Sequence, residues 1–128
     1  MLLRPALIDH LQNQPEASAL IERLAEAGIA ISIISYMEVY QGVLRSPVRQ
    51  HSEASFGTFL VAAPILPFSP AVARRCAELR ERLRQQGKRV RGRALDLMVA
   101  ATALEHGLTL VTRNIDDYDD IPGLTLYR

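Results

Sequence analysis

Short apolar runs along the chain indicate buried β-strands. Residues 29–35, IAISIIS, are almost continuously apolar and rich in isoleucine, which is typical of a strand buried on both faces. Shorter runs of this kind lie at 64–68, 108–112 and 124–127. Because these runs alternate with segments of helical periodicity, the chain is predicted to be an α/β domain with a parallel sheet.

Apolar residues at helical spacing define the helices between these strands. Ser69 and Pro70 form a helix start signal, a capping side chain followed by proline at the first helical position. The segment 94–106 is apolar almost all round and should be a buried helix that Gly107 ends. The buried stripe of the helix after Ser69 consists of Val72, Cys76, Leu79 and Leu83. Further helices are predicted over 5–14, 16–27, 36–46 and 49–62.

Length and composition limit what the chain can be. Its 128 residues suit one compact domain, 1–128, and 48% of them are hydrophobic, which is enough for a sizeable core. The single cysteine, Cys76, excludes an internal disulfide framework and suits a reducing compartment. No apolar run approaches the ~20 residues that a membrane span needs, and the start lacks a signal peptide. We therefore expect a soluble, cytoplasmic protein without a membrane segment.

The charges are unevenly distributed, although the net charge is only +1. Nine of the fifteen basic residues lie between Arg74 and Arg93. One interpretation is a basic face for a polyanion such as RNA. The other is a solvated helix face on which Glu78 and Glu81 pair with neighbouring arginines.

Polar and acidic residues follow two of the predicted strands. Ser35 ends the 29–35 run, and Glu38 lies in the first turn of the next helix. Thr112 ends the 108–112 run, and Asn114 and Asp117 follow it. In an open parallel sheet, ligands bind beyond the carboxyl ends of the strands, so these side chains are candidates for one site.

Asp96 begins the apolar helix 94–106 and can point at the same edge. If the strands are neighbours, Glu38, Asp96 and Asp117 converge, and converging carboxylates resist joint ionisation unless a cation lies among them. Oxygen ligands of this kind suit Mg²⁺ or Mn²⁺, which can activate water for phosphodiester hydrolysis. Each acid also has a simpler interpretation, as a helix-terminus or turn residue.

Three segments resemble PIN-domain ribonucleases, in particular the VapC-like toxins of bacterial toxin–antitoxin pairs. They are 31–43 (ISIISYMEVYQGV), 95–118 (LDLMVAATALEHGLTLVTRNIDDY) and 121–127 (IPGLTLY). The resemblance runs from about residue 6 to the end of the chain. It implies a PIN-like three-layer α/β/α domain with a short, mainly parallel central sheet.

The motifs of that family assign roles to the candidate residues. The resemblance implies a Mg²⁺- or Mn²⁺-dependent endoribonuclease that cleaves RNA, forms a homodimer and is held inactive by a cognate antitoxin. The acids among the matching positions would bind the metal. The matching positions are Ser35 and Glu38 in S/T-x-x-E, Asp96 in D-L-x-x-A-A-T-A, and Thr112, Asn114 and Asp117 in T-R-N-x-x-D-[F/Y].

The first strand departs from the family pattern. Members open with a strand that ends in an aspartate and small polar residues, whereas here Leu3 stands at the expected aspartate, followed by Arg4 and Pro5. The strand is therefore predicted to be truncated or altered. Two functions follow as hypotheses: an active metal-dependent endoribonuclease toxin, or a catalytically weakened PIN-like domain that acts by binding RNA or an antitoxin.

The aromatic residues of two predicted helices suggest association. Tyr36, Tyr40, Phe56 and Phe59 exceed what a short helical pair needs for its own core. Part of this surface is expected to form a homodimer or to receive an antitoxin segment. The alternative is that all four residues belong to an ordinary core.

Overall fold

Strands and helices alternate through the described part of the chain, residues 1–4 and 22–128 of a computed structural model. The strands are β1 (Leu2–Leu3), β2 (Ile31–Ser32), β3 (Ile65–Leu66) and β4 (Leu110–Val111). The helices are α1 (Ile33–Arg45), α2 (Arg49–Ala62), α3 (Pro70–Gln85) and α4 (Ala94–His106), with a 3₁₀ turn at Ile115–Asp117. The predicted helix 5–14 lies outside the described residues, and of 16–27 only 22–27 is described, with helix over 22–26 and a turn at Ala27.

The strands form one short parallel sheet with β1 at its centre. β1 pairs with β4, β2 pairs with β3, and both pairs are parallel. A bridge from Leu2 to Ala30 joins the two pairs, and a bridge from Leu110 to Leu126 adds the C-terminal segment. The spatial order is therefore β3, β2, β1, β4 and the C-terminal segment. This order places the carboxyl end of β1 between those of β2 and β4.

Side chains on the two faces of the sheet pack into separate layers. Leu2 and Leu110 belong to the core that includes the apolar sides of α3 and α4. Their neighbours Leu3 and Val111 belong to the other core, with Val39 of α1 and residues of α2. The alternation of side chains along a strand explains this division. The expected three-layer α/β/α arrangement is confirmed.

The predicted strand 29–35 is mostly wrong, because the strand ends at Ser32 and helix α1 begins at Ile33. The Ser32 hydroxyl caps α1 by accepting a hydrogen bond from the Ser35 backbone N–H at 2.9 Å. An apolar run cannot by itself distinguish a buried strand from a buried helix. Ser35 is thus a helical residue rather than a strand end, and Glu38 lies beyond the first turn of α1.

The later helices agree closely with the pattern of the sequence. All four predicted stripe residues of α3, from Val72 to Leu83, are buried, and Ser69 caps the helix through the Val72 N–H at 3.2 Å. Helix α4 ends at Gly107, whose φ of 63° is left-handed, as a glycine cap permits. Among the described residues, no helix is long and apolar enough to cross a membrane.

Phe56 and Phe59 are buried core residues, as the alternative for the aromatic set predicted. Tyr36 packs on Phe56 with ring centroids 5.5 Å apart, and Tyr36 and Tyr40 are only partly buried. The exposed apolar surface of α1 comes instead from other positions. Those positions are Ile33, Met37 and Leu44.

Candidate active site at the carboxyl edge of the sheet

Two of the predicted acids meet at the carboxyl end of β1, on either side of a cation. Glu38 comes from α1 and Asp96 from the first turn of α4. The Arg4 guanidinium lies between them: Nη1 donates to Glu38 Oε1 at 2.9 Å, and Nη2 donates to Asp96 Oδ1 at 3.1 Å. We call these three side chains the acidic edge. The side chain of Arg4 is 15% exposed, and those of the two acids are 25% and 27% exposed, so the ion pairs are only partly shielded from water.

The residue that reaches the acidic edge is Arg4, which corrects the expectation for Leu3. Leu3 is 0% exposed and packs in the core on the α1 side of the sheet. Its backbone N–H donates to Ala30, while the N–H of Arg4 donates to Val111, so Arg4 is still held in register beside β4. Since Leu2 and Leu3 point into opposite layers, the next side chain is the first that can extend over the edge of the sheet.

Tyr118 also contacts the acidic edge, although sequence reasoning did not select it. Its hydroxyl donates to Asp96 Oδ1 at 3.1 Å, and the residue is 1% exposed. Burial is the main cause that raises the pKa of Tyr118 above its ordinary value, so the hydroxyl keeps its proton and remains a donor. The available signal was the aromatic position that closes the T-R-N-x-x-D-[F/Y] motif.

The remaining candidates lie in the turn after β4 or inside α1. The Thr112 hydroxyl accepts a hydrogen bond from the Asn114 N–H at 3.1 Å, which fixes the start of the turn. Asn114 and Asp117 are exposed, and Ser35 is buried with its hydroxyl accepting from Ser32 at 3.1 Å. Their catalytic roles remain predictions.

The expected cluster of three carboxylates is not assembled in the described residues. Among residues 1–4 and 22–128, no group of three His, Cys, Asp or Glu side chains is arranged to hold a metal ion. The structure brings Glu38 and Asp96 to one guanidinium, whereas Asp117 is exposed on the 3₁₀ turn. Its backbone carbonyl accepts from Arg93 Nη2 at 3.0 Å.

This arrangement does not fit a bound Mg²⁺ or Mn²⁺. Such an ion would need oxygens of Glu38 and Asp96 as ligands, but one oxygen of each, Oε1 and Oδ1, already accepts an N–H bond from Arg4, which competes for the same carboxylates. Asp96 Oδ1 accepts a further bond from Tyr118. The positively charged guanidinium also repels a second cation at short range.

The basic stretch between Arg74 and Arg93 includes a buried residue beside the site as well as surface residues. Arg93 is buried, and its guanidinium makes two hydrogen bonds to the Asp120 carboxylate, at 2.7 and 3.0 Å. This pair ties the start of α4 to the loop after the 3₁₀ turn. Of the predicted surface pairs, Glu81 binds Arg84 in the i,i+3 relation, which supports a solvated helix face in that part of α3.

Comparison with known proteins identifies the family of this chain. The PIN domain family profile matches residues 5–124. Ribonuclease VapC2 of Rickettsia felis is 35% identical over 98 residues, which cover 77% of this chain and 72% of the relative. The tRNA(fMet)-specific endonuclease VapC of Shigella flexneri is 26% identical, over 89% of this chain and 85% of the relative.

A solved structure shows the same fold. The crystal structure of VapBC2 from Rickettsia felis, bound to a DNA fragment from their promoter, contains a chain that superposes with a TM-score of 0.86 at 30% identity. The match covers 98% of this chain and 96% of that chain. The resemblance expected from the sequence motifs is thus confirmed, and the chain belongs to the PIN domain family, among the VapC-like ribonucleases.

Proposed function

We propose that this chain is the toxin-type component of a VapC-like toxin–antitoxin pair, directed at RNA and bound by a cognate antitoxin. The relatives named as ribonucleases support an RNA substrate. The similar solved structure, a VapBC2 complex, supports an antitoxin partner. We place the RNA backbone on the basic stretch between Arg74 and Arg93, because the two carboxylates of the acidic edge would repel phosphate when no metal ion lies between them.

Of the two functions predicted from the sequence, the geometry favours the weakened form for this sequence. The observation that carries this choice is the Arg4 guanidinium between Glu38 and Asp96. It leaves two carboxylates and one fixed positive charge where an endonuclease of this type needs an uncompensated acidic centre for Mg²⁺ or Mn²⁺. The chain therefore binds RNA or its antitoxin and cleaves RNA poorly.

An RNA-cleavage assay tests this function. We expect purified parent protein with Mn²⁺ or Mg²⁺ to cleave a total-tRNA substrate only at the background rate of its Glu38→Gln variant. That variant keeps the side-chain shape but loses the charge, so it is a matched control for contaminating nuclease. Efficient parent cleavage that chelation and Glu38→Gln both abolish would restore the fully active enzyme and refute the weakened form.

We also place a homodimer contact on the exposed apolar side of α1. Met37 and Leu44 are 49% and 45% exposed, and Ile33, one helical turn before Met37, is also exposed. Exposed apolar side chains on one stripe of a helix are typical of an association surface. Met37 directly precedes Glu38, so a partner on this stripe would border the acidic edge.

Light scattering checks the dimer. We expect the parent mass to be that of two chains, and a Met37→Asp, Leu44→Asp double variant to have the mass of one chain. Val61→Asp is the control, because Val61 is a 90% exposed apolar residue of a different helix, α2. A parent that stays monomeric at high concentration would contradict the dimer but leave the antitoxin proposal intact.

A further inference from the structure

We propose that Arg4 is the resident cation of the acidic edge, so that its guanidinium takes the place of a divalent metal ion. This inference concerns the protein alone and does not depend on RNA being the substrate. It begins with position: Arg4 directly follows the central strand, and its guanidinium makes one bond to a carboxylate from α1 and one to a carboxylate from α4. The cation therefore joins three elements of the fold.

The hydrogen bonds show that the guanidinium satisfies both acids. Its Nη1 and Nη2 donate to different carboxylates, at 2.9 and 3.1 Å. The planar guanidinium holds these two donor nitrogens at a fixed spacing, whereas a lysine ammonium has only one nitrogen. Without the Arg4 guanidinium, both Glu38 and Asp96 would lose the counterion that they now share. Arg4 thus supplies a counterion to both acids.

The same contacts set a cost for metal binding. An incoming Mn²⁺ must bind an oxygen of each acid, so it competes for these carboxylates with the two N–H donors of Arg4 and, at Asp96, with the Tyr118 hydroxyl. It must also approach the positive charge of the Arg4 guanidinium. Metal affinity at this edge is consequently controlled by Arg4, and removal of its charge should create a divalent cation site from the two acids that remain.

The test is Mn²⁺ binding by purified protein, followed by thermal unfolding and by electron paramagnetic resonance of free Mn²⁺. We expect no saturable effect on the parent or on Arg4→Lys, which keeps the positive charge. Arg4→Asp adds a third carboxylate and should bind one Mn²⁺ at least roughly tenfold more tightly than the parent. Saturating Mn²⁺ should raise its Tm by about 5 °C or more.

Further variants keep the proposal open to refutation. Should Arg4→Asp fail to fold, Arg4→Ala removes the cation without adding a charge and should still gain a Mn²⁺ response. Adding Glu38→Gln to either variant should abolish the gain, which shows that the new site is the acidic edge. The proposal is overturned if the parent binds Mn²⁺ through Glu38, or if neither Arg4 variant binds Mn²⁺ better than the parent.

Discussion

Replacement of Leu3 by aspartate is expected to destabilise the protein by at least ~4 kcal/mol and to give no metal site. Leu3 is fully buried in the apolar core on the α1 side of the sheet, so the variant loses leucine packing and buries a carboxylate without a partner. A loss of this size is a large share of the ~5–15 kcal/mol by which domains are stable. Urea denaturation followed by circular dichroism measures it.

The comparison with position 4 makes this prediction specific. In Leu3→Asn the new side chain has nearly the same shape as the aspartate of Leu3→Asp but no charge. The difference between the unfolding free energies of the two variants therefore isolates the cost of the buried carboxylate. Mn²⁺ should not recover stability in Leu3→Asp, whereas it should in Arg4→Asp. A Leu3→Asp protein that is as stable as the parent, or that Mn²⁺ stabilises, would mean that the side chain at position 3, and not the one at position 4, lies beside Glu38 and Asp96.

Replacement of Arg93 by alanine is expected to lower the free energy of unfolding by roughly 2–4 kcal/mol. The Arg93 side chain is 8% exposed and makes two hydrogen bonds to Asp120, one to the Asp117 carbonyl and one to the Arg89 carbonyl. Truncation leaves Asp120 and these carbonyls without their donor. Chemical denaturation of both proteins at neutral pH measures the loss.

Arg75→Ala provides the matched control, since it also removes an arginine ion pair. Arg75 pairs with Glu105 at 3.2 Å, but its side chain is 45% exposed, so we expect a loss below ~1 kcal/mol. Equal losses in the two variants would contradict the structural role of Arg93.

The pH dependence gives a second measurement for Arg93. Its hydrogen bonds hold the pKa of Asp120 below the ordinary value of 3.8. A depressed carboxyl pKa stabilises the fold above the ordinary value, and this contribution is lost as the pH falls through the lowered pKa. The stability difference between the parent and Arg93→Ala should therefore be constant near neutral pH and shrink below pH 3.8.

Local signals predicted the second half of the fold well. The α3 stripe, its Ser69 cap and the Gly107 terminus each follow from short-range chemistry that tertiary packing does not override. The α1 boundary was misplaced for the opposite reason. Ile33 and Ile34 are apolar and suit a buried strand or a buried helix, and the Ser32 hydroxyl that caps the helix decides between the two.

The acidic edge was only partly predictable. Arg4 contacts both Glu38 and Asp96, two of the three acids that the sequence predicted to converge, and their role in a metal site stays a prediction. The sequence analysis placed Leu3, rather than Arg4, at the position of the expected aspartate because the register of the first strand was unknown. A shift of one residue along a strand moves a side chain from the core to the edge of the sheet. The ion pairs of Arg4 join residues far apart in sequence, so no local pattern indicates them.

The most direct measurement of the central claim is a crystal structure of the parent protein grown with excess Mn²⁺, with anomalous diffraction recorded near the manganese edge. We predict the Arg4 guanidinium between Glu38 and Asp96, within hydrogen-bond distance of both, and no anomalous peak at their carboxylates. An Mn²⁺ ion coordinated by Glu38 and Asp96, with Arg4 turned away, would contradict the account.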